Sequence, residues 1–66
     1  MEVAAKIVEL RKKKGWTQLE LALKGGFSPS RISRIENGAK LWGEDIKKLA
    51  AVFGVSEELF FRNESK

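Results

Sequence analysis

The chain has 66 residues, 42% of them hydrophobic and 33% charged, with a net charge of +4 from 13 basic and 9 acidic side chains. A chain of this length makes one small domain with a thin core, which favours short helices joined by short connections. It has no cysteine and no histidine, which excludes a disulfide framework, a thiolate metal site and an imidazole general base.

No apolar run approaches the roughly 20 residues that a bilayer requires, and the opening MEVAAKIVEL carries Glu2 and has no signal-peptide core. No metal, no cofactor and no membrane partner are expected, and the absence of cysteine fits a reducing, cytoplasmic setting. The charge is unevenly spread. Residues 11–40 hold eight Lys/Arg against Glu20 and Glu36, a balance of +6, whereas the other 36 residues balance at −2. Such a block is either an electrostatic footprint for a polyanion or a lysine-rich solvated face.

Val3, Ile7 and Leu10 recur at three- and four-residue spacing, with Ala4 and Val8 beside them, and predict an amphipathic helix over 2–14. Gly15 stops it after Arg11-Lys12-Lys13-Lys14, a cationic last turn that complements the helix dipole. The tetrad TQLE at 17–20 is a capping box, with Trp16 placed before it as a staple. A short second helix therefore runs to about Lys24, and Gly25-Gly26 breaks it. SPSR opens the third helix, with Ser28 as cap and Pro29 at the first helical position, where its missing amide costs nothing. Ile32 and Ile35 form its apolar stripe, Phe27 packs at its start, and Asn37-Gly38 closes it. After a loop at 39–43, Ile46, Leu49, Ala50 and Phe53 predict a fourth helix over 44–53 that ends at Gly54. Ser56 caps a fifth that holds Leu59, Phe60 and Phe61, and 63–66 is expected to be a frayed tail on a single domain of 1–62. The expected fold is all-α, five short helices.

The second and third helices are joined by a three-residue turn containing glycine, the signature of a helix-turn-helix. With Ile32 and Ile35 inward, Pro29, Ser30, Ser33 and Arg34 form the outer face of the third helix and Arg31 its flank. Small polar residues let a helix approach base edges in a major groove about 12 Å wide. Arg34 offers a planar fork suited to guanine O6 and N7, and Arg31 reaches phosphate or base. Ser28, Ser30 and Ser33 bring hydroxyls for phosphates or base edges, and the helix N-terminus favours a phosphate. The competing reading is a solvated basic helix.

The residues VELRKKKGWTQLELA (8–22), Gly26, SRISRIENG (30–38) and KKLAAVFGVSEELF (47–60) together resemble the phage-repressor and Cro type of helix-turn-helix protein, the Xre-like family. The resemblance covers residues 2–61 and implies a lambda-repressor-like DNA-binding domain in a cytoplasmic, DNA-associated protein of bacteria, archaea or phage. It implies base-edge contacts from Pro29, Ser30 and Arg34, with Arg31 and Ser33 beside them. Gln18, Thr17, Ser28, Asn37 and Lys40 become phosphate contacts, the last two through nearby backbone. It also implies a structural pair between Arg11 and Glu36. That pair has a physical case of its own, because Glu36 is the only acid on the third helix and lies at an unfavourable C-terminus.

Three residues depart from the family pattern. Pro29 stands where many relatives carry a long polar base reader, which leaves more of the readout to Arg34. Gly25 replaces an apolar residue and is expected to loosen the end of the second helix. Trp42 replaces a small cap and is a candidate for core, for contact with the DNA backbone or for a partner subunit.

Catalysis is not expected, since Glu44-Asp45 and Glu57-Glu58 stand at helix starts and no phosphate-cradling glycine loop is present. The expected function is a sequence-specific transcriptional regulator on a pseudo-palindromic duplex operator, as repressor or autoregulator. The alternative is an antitoxin or coactivator-like module whose main partner is a protein, a toxin or a polymerase. VSEELFFR carries more bulky apolar residues than one short helix buries. Leu59 is therefore expected inward, with Phe60 or Phe61, together with Val55, left for a two-fold partner in a homodimer. The alternative is that both phenylalanines close the monomer core.

Overall fold

A computed structural model describes residues 2–60, so Phe61 and the expected tail at 63–66 lie outside the described residues. Four α-helices follow in order: α1 (Glu2–Lys14), α2 (Gln18–Gly25), α3 (Pro29–Glu36) and α4 (Gly43–Phe53). The expected fifth helix is instead a single 3-10 turn over Glu57–Phe60. Four residues give too few hydrogen bonds to repay helix nucleation. The Ser56 hydroxyl oxygen accepts from the Glu58 amide at 3.1 Å, which tightens the turn.

The core draws one stripe from each helix. Ile7 comes from α1, Leu21 and Ala22 from α2, Ile32 and Ile35 from α3, and Ile46, Leu49, Ala50 and Phe53 from α4, with Phe60 closing the end. Each large apolar side chain so buried contributes about 1.5–3 kcal/mol of transfer free energy. Phe60 is only 1% exposed, so it belongs to the monomer core and is withdrawn from the expected dimer surface. Leu59, expected inward, is only half-buried, and Val55 packs partly against the core. The turn packs against α4, and it is Phe60 rather than Leu59 that this contact buries most deeply.

Local chemistry sets the angle between α2 and α3. Glu20 N–H donates to the Thr17 hydroxyl oxygen at 3.1 Å, and Thr17 N–H donates back to the Glu20 carboxylate at 2.8 Å. At the other end Gly26 takes φ of 80°, a left-handed conformation open to glycine at no steric cost, and its N–H donates to Ala22 O. Ala22 is fully buried, and a bulkier residue there would overpack the helix crossing at about 1–3 kcal/mol. Gly25 is the last residue of α2. A Cβ at this position would lie 3.0 Å from the Phe27 ring and 3.7 Å from Val52, so its bare backbone is the surface on which Phe27 rests.

Trp16 stacks on Phe53 with ring centroids 5.9 Å apart, joining the α1–α2 turn to α4. Among the described residues, no buried side-chain polar atom lacks a hydrogen-bond partner, and no helix is long and apolar enough to cross a membrane.

Candidate nucleic-acid interface

α3 begins with Ser28, whose hydroxyl oxygen accepts from the Arg31 amide at 3.2 Å, and with Pro29 in its first turn. Its inner stripe, Ile32 and Ile35, is buried. Pro29, Ser30 and Arg34 are exposed on the opposite side, and Ser33 is half-buried. No acceptor among the described residues engages the Arg34 guanidinium, so its donors face solvent. Ser28 and Ser30 hydroxyls lie 3.5 Å apart at the helix start.

The other cations of the basic block differ sharply in availability. Arg11 Nε and Nη2 donate to the Glu36 carboxylate at 2.7 and 3.1 Å, and Arg11 Nη1 donates to Trp16 O at 2.9 Å. The side chains of Arg11 and Glu36 are only 13% and 5% exposed. Gln18 Nε2 donates to the second Glu36 oxygen at 2.8 Å. One carboxylate thus ties the end of α1, the start of α2 and the end of α3 together. Lys14 and Lys24 lie 5.9 and 5.2 Å from the Trp16 ring centroid, where the ring quadrupole attracts their ammonium groups. Lys12, Lys13, Lys14, Lys24, Arg34 and Lys40 are all exposed, and Arg34 is the arginine of the block with no carboxylate partner among the described residues.

Several expected contact residues are already engaged. Arg31 Nη2 donates to Asp45 Oδ2 at 2.6 Å and to Lys40 O at 3.0 Å, which ties the guanidinium to α4 and to the loop before it. Near Asn37, the amides of Asn37, Gly38 and Ala39 donate to the last carbonyls of α3, and Asn37 Nδ2 donates to Ser33 O at 2.8 Å. Those three amides close the helix. Thr17 is exposed and its hydroxyl oxygen caps α2, while the first-turn amides of Gln18 and Leu19 have no partner within the helix. Lys40 is exposed, and its ammonium lies 4.9 Å from the centroid of the Trp42 ring. Trp42 itself is 60% exposed, which removes it from the core.

Asp45 is the partner of Arg31 that sequence reasoning missed, having placed it only as an acid at a helix start. Its carboxylate also accepts from the Trp42 amide at 2.9 Å. An acid three residues after the residue preceding a helix is the available signal, since that side chain reaches back to the free amide. Burial works against the Asp45 charge, but the Trp42 amide, the Arg31 guanidinium and Lys48 outweigh it and hold the carboxyl below its ordinary value. A lowered folded pKa stabilises the fold above the unfolded value of about 3.9, and that contribution disappears as pH falls through the folded value. The gap in Tm between wild type and Asp45→Ala should therefore be present at pH 7 and shrink below pH ~4. A gap independent of pH would show that charge at Asp45 contributes nothing.

Two short helices joined by a three-residue glycine turn, the second presenting a small, polar, cationic face, define a helix-turn-helix unit. A family model described as helix-turn-helix, of the Xre/Cro type, matches residues 7–60, and the chain belongs to that family, one of DNA-binding regulators that are generally not enzymes. No curated protein matches the chain.

Proposed function

We propose that the protein is a sequence-specific transcriptional regulator of repressor or autoregulator type that lays α3 in the major groove of duplex DNA. The observation that carries this reading is the division of labour among its arginines. Arg11 and Arg31 are held by Glu36 and Asp45, while Arg34 points outward between small residues. Pro29 and Ser30 allow close approach, and Arg34 supplies the guanine fork. Ser33, Ser28, the α2 amides at Gln18 and Leu19, Thr17 and Lys40 surround that face with phosphate donors.

One module of this size gives a modest footprint, which supports a homodimer on a pseudo-palindromic operator with half-sites about 34 Å apart. Its surface does not include Phe60. Selection of binding sites from a random duplex pool tests the reading. A two-fold symmetric enriched motif is expected, and no enrichment over competitor would reject sequence-specific binding. Lys40→Met should weaken preferred and scrambled duplexes alike and reduce the slope of log K against log[salt] by roughly 1. An unchanged slope would remove Lys40 from the phosphate contacts.

A second reading, a module that binds a protein such as a toxin or a polymerase, draws on one observation. Leu19 and Leu23, four residues apart on α2, are 52% and 71% exposed. An apolar pair on one helix face fits a protein contact better than a phosphate.

A further inference from the structure

Lys40-Leu41-Trp42 is the second half of the connection from α3 to α4, and its three side chains alternate. Leu41 packs against the core, while Lys40 and Trp42 are exposed on either side of it. Both ends of this tripeptide are held by one ion pair. Arg31, from the first turn of α3, donates through Nη2 to the Lys40 carbonyl at 3.0 Å and to Asp45 Oδ2 at 2.6 Å. The same Asp45 oxygen accepts from the Trp42 amide at 2.9 Å. The backbone before and after Leu41 is therefore fixed relative to α3 by a guanidinium and a carboxylate that themselves stand 14 residues apart.

We infer that Arg31 and Asp45 are positioning residues for DNA binding, which staple the Lys40–Trp42 segment to α3 so that Lys40 meets a phosphate beside the groove that α3 occupies. This inference rests on the DNA-binding reading above and deepens it. The staple links two contacts that would otherwise move independently: a base-reading face on α3 and a cation on the loop after it. Trp42 assists by holding the Lys40 ammonium over its ring. Pre-set geometry reduces the ordering that binding must impose on a long flexible side chain.

Asp45 is an anion close to a polyanion site, so removing its charge should tighten DNA binding if charge alone matters. If Asp45 positions Lys40, removing it should weaken binding. Asp45→Ala, Lys40→Met and the double variant are compared with wild type by titration of the selected duplex and a scrambled one across a salt series. Expected is a loss of about fivefold to tenfold for Asp45→Ala at 100 mM salt, the worth of roughly one phosphate contact, with a slope reduced by about 1. The double variant should bind no more weakly than Lys40→Met.

Hydrogen exchange of the Trp42 amide in the DNA-free wild-type protein reports on the staple without relying on any variant to fold. It is expected to be protected, and exchange at the unprotected rate would overturn the inference. Binding by Asp45→Ala equal to or tighter than wild type would overturn it while leaving DNA recognition intact. Failure of the wild-type protein to bind either duplex would overturn the DNA reading and the inference together.

Discussion

Glu36→Ala is expected to lower the unfolding free energy by about 3–5 kcal/mol, the usual result of removing one partner from a buried ion pair. The cost arises less from the lost attraction than from what remains. Arg11 keeps its charge at a site only 13% exposed, and Gln18 Nε2 loses its acceptor. A domain of this length has a total stability of roughly 3–10 kcal/mol. The variant should therefore sit near its unfolding threshold at 25 °C, with a urea midpoint shifted towards zero. Replacing both partners, as in Arg11→Met with Glu36→Leu, should recover most of the loss, because no orphaned charge is left. A loss below about 1 kcal/mol for Glu36→Ala would place the pair among ordinary surface bridges.

Arg34→Ala is expected to cost about 1–3 kcal/mol at each half-site of the preferred operator, the worth of one bidentate arginine–guanine contact, and so about twice that for a dimer. One base position per half-site should lose its preference, while affinity for a scrambled duplex falls only by the loss of one cation. Arg34→Lys should retain that cation yet fail to restore discrimination, since an ammonium lacks the planar fork. Folding should be unaffected, because no acceptor among the described residues holds the guanidinium. Equal loss on preferred and scrambled duplexes would make Arg34 a phosphate contact.

What was legible in the sequence was local. The TQLE box and the Ser28-Pro29 start each declare a helix boundary through residues three or four apart, and the structure places α2 and α3 there. Ile32 and Ile35 fall on the inner stripe because helical periodicity alone requires it. The α1 and α4 spans follow from the same spacing. The C-terminus was misread because EELF is too short for its apolar order to decide between a 3-10 turn and an α-helix. Which of the adjacent Leu59 and Phe60 is buried more deeply depends on how the turn meets α4, a long-range contact.

The bridge from Arg31 to Asp45 depends on how α3 meets α4, which no local spacing encodes. Helical spacing separates Arg34 on the outer face from Arg31 on the flank, but does not show that Arg31 is paired within the protein while Arg34 faces solvent. Composition likewise counted every cation of the basic block. It had no means of showing that Lys14 and Lys24 lie over Trp16. Gly25 shows the same limit, since its value lies in the approach of Phe27 and Val52 rather than in its own backbone freedom.

Insertion of α3 into the major groove is tested most directly by methylation interference on a selected duplex. Guanine N7 lies in the major groove and adenine N3 in the minor groove. N7 methylation at one guanine in each half-site should abolish binding by the wild-type protein but have little further effect on Arg34→Ala. Interference confined to adenine N3, or none at either atom, would contradict that insertion.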